Sequence, residues 1–190
     1  MKKIVYVLSF IILSICIVGC TKINTVNSAD VSNISDEDNE YFKSLYNSKK
    51  KFTIDLVQDD KLLELLQNEI SQRNVEIEIS GDEKPYTITY YYKDKIKDEE
   101  MQKIDIEMKM VSYILLALVG DLESVNWTYE DYLQQCYKFS SSYAECVGDI
   151  GKDVKQFSAS KEEFNLLMNI LTNDSGCYIE KVFRLYNCTL

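Results

Sequence analysis

Hydrophobic residues recur at helical spacing between Glu99 and Tyr129, the most regular stretch of the chain. Their separations of four, three, four, three and four positions keep these side chains within roughly 40° of one line along a helix. They are Ile104, Met108, Val111, Leu115, Leu118 and Leu122. Residues 113–119 are apolar nearly all round, so we expect this half of the helix to be buried deepest, and Gly120 is expected to end it.

Alternation of apolar and polar residues predicts strands on both sides of this helix. The runs at residues 75–80 and 86–92, with a turn between them, predict a β-hairpin, and residues 125–129 predict a strand after the helix. A first strand is predicted at residues 52–56, followed by a helix containing residues 62–70. After Tyr129 the pattern predicts further helices, and a last strand at residues 178–186.

This βαββαβ order predicts an α+β fold, a two-layer sandwich of an antiparallel or mixed sheet with helices on one face, ferredoxin-like or related, plus C-terminal helices and a last strand. Every predicted strand is apolar on one face only, so the other face should carry polar side chains. That polar face is a candidate partner surface, and a plain hydrated face is the alternative. Its candidate residues are Glu76, Glu78, Thr87, Thr89 and Tyr91.

Residues 1–19 have the composition of a bacterial secretory signal: two lysines, an apolar core at residues 4–18, and Gly19 directly before Cys20. The junction resembles the lipobox of bacterial lipoproteins, which implies that Cys20 is diacylated on sulfur and becomes the mature N-terminus. Two acyl chains give stable anchoring. We therefore expect a protein anchored by lipid at the extracytoplasmic face of the cell membrane. An uncleaved anchor and an ordinary secretion signal are the alternatives.

Composition predicts how the mature chain is organised. Residues 20–40, rich in Ser, Asn and Asp, predict a lipidated flexible tether, and residues 41–190 predict a single extracytoplasmic domain. The net charge is −10, and loss of two lysines with the signal makes it −12. This charge argues against binding nucleic acid and against lying flat on anionic lipid. The expected partners are the membrane, through the lipid, and an unknown envelope protein or cell-wall component.

The cysteines that remain after Cys16 is cleaved off and Cys20 is acylated are even in number. In an oxidising compartment this predicts two disulfides, with free thiols as the alternative. If residues 178–186 are extended, the two cysteines that flank them lie too far apart to bond with each other. Bridges from the first pair to the C-terminal strand are therefore expected. The four are Cys136, Cys146, Cys177 and Cys188.

Catalytic and cofactor motifs are missing from the sequence. The chain has no His and only 6 Gly, so it has neither a Ser-His or Cys-His pair nor a Gly-rich phosphate loop. Adjacent carboxylates at residues 98–100 and 162–163 could serve a glycosidase, but they are also typical of helix starts. We expect no enzyme activity, no catalytic residues, no cofactor and no metal site.

Three segments together resemble a known domain: residues 45–66, the Pro85-Tyr86 strand, and the apolar run at residues 113–119 followed by Val125. They resemble an uncharacterised domain of Gram-positive bacterial lipoproteins, related to domains found with β-lactam-sensing membrane peptidases. The resemblance spans residues 45–128 and implies no catalytic residues. An early Tyr-Val/Ile-Gly-Asp/Asn motif of that family is replaced here by the sequence at residues 53–57.

The function predicted from these observations is that of a lipid-anchored extracytoplasmic protein, a non-catalytic binding or sensor-accessory module. A carboxylate-dependent cell-envelope hydrolase is one alternative, and a structural or immunity-type lipoprotein is another. An open cleft lined by convergent carboxylates would favour the hydrolase, and a closed surface would disfavour it.

Overall fold

The structure is a computed structural model that describes residues 36–67, 70, 74–80 and 84–172, with side chains from residue 39 onward. Several predictions lie outside these residues. They are the signal sequence, Cys20, most of the tether, Cys177, Cys188 and the strand at residues 178–186.

Six α-helices and one short 3₁₀ helix are present in the described part of the chain. They are α1 (Asp36–Asn47), α2 (Asp55–Gln58), α3 (Lys61–Gln67), α4 (Asp98–Leu118), α5 (Tyr143–Ile150), the 3₁₀ helix (Val154–Ser158) and α6 (Lys161–Thr172). The long helix predicted from the hydrophobic spacing is α4, and the predicted helix at residues 62–70 corresponds to α3, three of whose four leucines are buried.

Four strands form one sheet in the order β1 (Val75–Ser80), β2 (Tyr86–Tyr92), β3 (Leu122–Glu130) and β4 (Cys136–Ser142). The β1/β2 and β3/β4 pairs are antiparallel, whereas β2 and β3 are parallel. Parallel neighbours need a crossover, and α4 provides it. The predicted α+β fold with a mixed sheet is confirmed, as are the β1/β2 hairpin and the strand through Trp127.

Helix α4 lies at the centre of the core. All seven residues from Tyr113 to Val119 are buried, as their apolar character predicts. One side of α4 packs on β3, and the 3₁₀ helix packs on another side of it. Phe157 of that 3₁₀ helix and Phe164 of α6 are fully buried, so a layer of C-terminal helices completes the core.

The predicted first strand at residues 52–56 is wrong, because this segment forms a turn followed by α2. Thr53 and Leu56 are the buried residues of this segment, and the backbone N–H and hydroxyl of Thr53 both donate to Asp121 Oδ1, at 2.5 and 2.6 Å. Phe52 and Ile54 are 45% and 48% exposed. Of the alternating apolar residues only Leu56 faces the core, because the hydrogen bonds from Thr53 to Asp121 turn Phe52 and Ile54 outward.

The prediction of further helices directly after Tyr129 is also wrong, because β4 follows first. Asp131 is buried and builds the turn: its Oδ1 accepts from the N–H of Gln135 at 2.8 Å, while its backbone carbonyl accepts from Gln134 at 3.1 Å. Gln134 has a positive φ of 66°. The described element order is thus three helices, two strands, α4, two strands and the C-terminal helices, not βαββαβ.

Gly120 follows α4 for a reason that concerns packing. Its N–H donates to the carbonyl of Lys50 at 3.0 Å, which brings the segment before α2 against the end of α4. A Cβ at Gly120 would lie 2.6 Å from the carbonyl oxygen of Lys51. Only glycine allows the two backbones to approach this closely.

We predict that Gly120→Ala lowers the free energy of unfolding by about 1–3 kcal/mol, because the new methyl group collides with backbone. The matched control is Gly148→Ala in α5, where a Cβ meets nothing within 4 Å. That substitution should stabilise the helix by about 0.5–1 kcal/mol. Urea denaturation of both variants measures the two effects, and equal stability of Gly120→Ala and the parent chain would contradict the close approach.

Candidate functional site

An open groove of about 680 Å³ lies between α4, α5 and the apolar face of β3 and β4. Its floor is aromatic, and its two walls are helical and mostly acidic. The volume is that of a pocket for a small ligand.

The groove floor consists of four aromatic rings on one face of the β3/β4 pair. Trp127 pairs with Phe139 and Tyr129 pairs with Tyr137 in the strand register, so their side chains lie side by side. The Trp127 and Phe139 rings stack with centroids 5.7 Å apart and planes at 19°. Trp127 and Tyr129 are buried, whereas Tyr137 and Phe139 are half-buried and present ring surface to the groove.

Asp105 of α4 joins the helix to this floor. Its side chain is 6% exposed, and it accepts hydrogen bonds from Trp127 Nε1 at 2.8 Å and from the Tyr129 hydroxyl at 3.1 Å. Each carboxylate oxygen takes one of these bonds. Burial raises the pKa of Asp105 above its ordinary value, and the two hydrogen bonds oppose that effect.

The α4 wall of the groove presents one face of the helix. Asp98, Gln102, Asp105 and Lys109 are three or four positions apart, so they line the same side of α4. Asp98 and Gln102 are exposed at the groove mouth. Lys109 is held at the other end, because its Nζ lies 2.9 Å from Asp149 Oδ2.

The α5 wall contributes Glu145 and Asp149, one turn apart. Glu145 belongs to a capping box with Ser142: its Oε2 accepts from the Ser142 N–H at 2.8 Å, and the Ser142 hydroxyl accepts from the Glu145 N–H at 3.2 Å. Asp149 accepts from the Tyr113 hydroxyl as well as from Lys109. The helix that carries this wall is therefore fixed at its start and against α4.

The five residues predicted as a partner face do come together, on the opposite side of the sheet from the groove. Glu76 pairs with Tyr91 and Glu78 with Thr89 across the β1/β2 ladder. The Tyr91 hydroxyl donates to Glu78 Oε2 at 2.8 Å. The same face continues across β3, and across β4 through residues that were not predicted for it, Lys138 among them. Its role as a partner surface stays a prediction.

Two of the four cysteines predicted to form disulfides are described, and both are free thiols there. Cys136 is exposed on β4, and Cys146 is buried in α5. Burial raises the pKa of Cys146 to about 12, which keeps its thiol protonated and unreactive. Bridges to Cys177 and Cys188 stay a prediction, because both partners lie outside the described residues.

Lys155 of the 3₁₀ helix has a perturbed pKa that a packing role explains. Its Nζ donates to the carbonyl oxygens of Val119 and Leu122, just past the end of α4, the second at 3.2 Å. Burial lowers the pKa of this amine to about 8. The ammonium satisfies two carbonyls at the end of a helix, as positive side chains commonly do.

Metal-ligand clusters and membrane-spanning helices are both lacking in the part of the chain that the structure describes. No group of three or more His, Cys, Asp or Glu side chains there is arranged to hold a metal ion. No described helix combines the length and the hydrophobicity needed to cross a bilayer.

The groove itself is missing from the sequence predictions. No role was predicted for Asp105 or Lys109, and helices were predicted after Tyr129, where Tyr137, Phe139 and Ser141 in fact alternate along β4. A signal was present, because two aromatic residues alternate with polar ones directly after the Trp127 strand. That signal locates an aromatic strand, but not the helix walls on either side of it.

The fold and this groove define a small α+β protein with a ligand-sized site at one end of a four-stranded mixed sheet. Over residues 45–141 the chain matches a family described as a domain of unknown function, DUF4825. The match covers just over half of the chain, which therefore belongs to the DUF4825 family. No curated protein and no solved structure matches the chain. The matched residues include the α4 wall and the aromatic floor, whereas Glu145 and Asp149 lie beyond them.

We predict that Asp105→Asn lowers the free energy of unfolding by about 1–3 kcal/mol, because an amide cannot accept from both Trp127 and Tyr129 as the carboxylate does. The difference in the free energy of unfolding between Asp105→Asn and the parent chain should also depend on pH. The folded-state pKa of Asp105 is raised above 3.8, so between these two pKa values the folded chain holds a proton that the unfolded chain has lost. Relative to the Asn variant, the parent chain therefore loses stability as the pH rises through this window.

Urea denaturation at several pH values from about 3 upward measures this difference. Asp98→Asn is the control, because Asp98 is exposed in the first turn of α4 and its loss should cost only about 0.5 kcal/mol. Equal stability of Asp105→Asn and the parent chain at every pH would show that the buried carboxylate does not join α4 to the sheet.

Proposed function

We propose that this chain is a lipid-anchored extracytoplasmic binding module of Gram-positive lipoprotein type, and that the groove is its ligand site. The observation that carries the proposal is the open aromatic floor, with Asp105 already bonded to two of its rings. A floor that is fixed before a ligand arrives lowers the entropy cost of binding.

Binding is favoured over catalysis by the way the groove carboxylates are used. Both oxygens of Asp105 accept hydrogen bonds from floor side chains, and Asp149 is engaged by Lys109 and Tyr113. A general acid or nucleophile needs an oxygen within reach of a substrate. The two most buried acids of the groove are instead bonded to their own protein, which supports a non-catalytic role.

The anchor and tether give this module its place in the cell envelope. A random-coil tether between Cys20 and the start of α1 at Asp36 would span on the order of 20 Å, so the domain would stand away from lipid headgroups. The negative charge of the chain adds repulsion from an anionic surface. A ligand or protein in the envelope then has access to the groove, and a sensor-accessory role would follow from the resemblance to domains of β-lactam-sensing membrane peptidases.

A carboxylate-dependent cell-envelope hydrolase is the second candidate. It is favoured by one observation, that the groove is open and carries acids on both walls, with Asp98 on α4 and Glu145 on α5. In this case Asp98→Asn or Glu145→Gln would abolish turnover of a cell-wall substrate. If the parent chain turned over no cell-wall substrate, the hydrolase would be excluded.

We predict that Cys20→Ala releases the protein from the membrane, because the sulfur that carries the lipid is lost. The parent chain, expressed with its signal in a bacterial host, should partition into the detergent phase and incorporate an alkyne-labelled fatty acid. Cys136→Ala is the matched control, since Cys136 is an exposed free thiol within the folded domain. Labelling that persists in Cys20→Ala, or that is lost in Cys136→Ala, would contradict acylation at Cys20.

We predict that Gln102→Trp abolishes cross-linking of the acylated chain to its partner in the membrane, because a large ring at the exposed mouth obstructs the groove. Glu78→Arg changes the opposite sheet face and should leave cross-linking intact. Mass spectrometry of cross-linked membranes provides the readout. If only Glu78→Arg abolished cross-linking, the binding surface would be the opposite face of the sheet and not the groove. If the parent chain cross-linked to no partner, a structural or immunity-type lipoprotein would be favoured.

A further inference from the structure

We propose that the groove binds an organic cation, an ammonium group carried on an apolar stem. This inference rests on the proposed function, since it names the ligand class of the same groove. Three features of the lining lead to it: its net negative charge, hydrogen-bond donors that are already engaged inside the protein, and exposed aromatic ring surface.

Charge is the first feature. The side chains of Asp98, Glu145 and Asp149 face a single ammonium, that of Lys109. The lining therefore stays negative even when Asp105, whose pKa burial raises, is counted as neutral. Acids on the two helical walls are brought close around one cavity with an apolar floor, where a positive ligand gains more than it would in water.

The second feature is the state of the donors around the groove. Trp127 Nε1 and the Tyr129 hydroxyl both donate to Asp105, and the Tyr137 hydroxyl donates to Asp131 Oδ2 at 3.3 Å. The Lys109 ammonium is paired with Asp149. The strongest donors are thus turned toward acceptors of the same chain, and the groove offers a ligand mainly acceptors. A fitting ligand must bring its own N–H donors, which an ammonium has and a phosphate or carboxylate does not.

Aromatic surface is the third feature. The half-buried rings of Tyr137 and Phe139 line the groove beside the buried Trp127. The face of an aromatic ring is negative and attracts cations, most strongly for Trp and Tyr. The same rings pack against a hydrocarbon stem. Neutral sugars also stack on aromatic rings, but they carry no charge for the acids of the two walls to attract.

Cadaverine, pentanediol and glutarate test the charge preference, because they share a short linear stem and are respectively positive, neutral and negative. Trp127 is the only Trp of the chain and lies in the groove floor, so its fluorescence reports binding. The full acylated chain in nonionic detergent is titrated with each compound at low and high salt. Cadaverine should bind at least about tenfold more tightly than pentanediol, with an affinity that falls with salt, and glutarate should not bind.

Two further probes separate the possible sources of the same chemistry. N-acetyl-lysine amide represents the lysine side chain of a peptide, and methyl glucoside represents a neutral sugar. Tighter binding of the lysine derivative than of cadaverine assigns the groove to a peptide, and the reverse assigns it to a free amine. Binding of methyl glucoside or pentanediol as tightly as cadaverine overturns the inference but leaves a binding module in place.

Isosteric variants locate the effect. Asp98→Asn and Glu145→Gln each remove one charge from a groove wall, and glutamine retains the capping-box geometry at position 145. Each should weaken cadaverine binding about threefold to tenfold, and Phe139→Leu about threefold. Glu78→Gln, the same charge change on the far face of the sheet, should have no effect.

The melting temperature of each variant is measured alongside, so that loss of binding is not confused with loss of folding. Equal affinities across the groove variants and Glu78→Gln would show a non-specific charge effect and overturn the inference. A parent chain whose Trp127 fluorescence responds to none of the five probes would count against the groove as a ligand site, and therefore against the proposed function itself.

Discussion

The carboxylate of Asp105 is the polar link between the helix layer and the sheet. It lies in the first half of α4, where the helix is apolar on one side only, and it meets the two buried rings of β3. A buried carboxylate is costly unless its oxygens are satisfied, and an indole N–H and a phenol supply the donors. These two bonds set the rotation of α4 against β3. The aromatic floor and the α4 wall of the groove depend on that rotation.

Among the residues that the structure describes, α4 packs mainly on β3 and leaves ring surface of β4 uncovered, and this surface forms the floor of the groove. Helix α4 connects the two parallel central strands, β2 and β3, so its apolar side packs on the middle of the sheet. Tyr137 and Phe139 of β4 keep the alternation of a core strand but stay only half-buried. Helix α5 then starts at Tyr143, directly after β4, and brings its acids to the far side of these rings. The packing of α4, the half-buried rings of β4 and the position of α5 together form the groove.

The two faces of the sheet differ in what they offer a partner. The face opposite the groove is a hydrated surface of Glu, Thr, Ser and Tyr side chains, with cross-strand bonds such as that between Tyr91 and Glu78. This face is polar, and its side chains form some of their hydrogen bonds with one another. The groove instead combines apolar ring surface with carboxylates. Water solvates the carboxylates well and the rings poorly. Such a site gains most from a ligand that is itself apolar and charged.

Sequence by itself determined the features that depend on local periodicity. The sequence pattern predicted the 3.6-residue spacing of α4 and the period-two alternation of β1, β2 and β3. It also predicted that one face of the sheet is polar. The five polar residues of β1 and β2 could be grouped because strand alternation places them on one face whatever covers the other. The predictions of a signal sequence and of acylation at Cys20 likewise rest on local composition alone.

Only the tertiary structure decided where that periodicity was misleading and which distant residues meet. Phe52 and Ile54 alternate like strand residues, yet the bonds from Thr53 to Asp121, 68 positions away, turn them outward. Asp105 is a polar position of a helix in the sequence, and only the fold brings Trp127 and Tyr129 opposite it. Both outcomes depend on hydrogen bonds between residues far apart in the chain, and a local pattern of hydrophobicity contains no information about such partners.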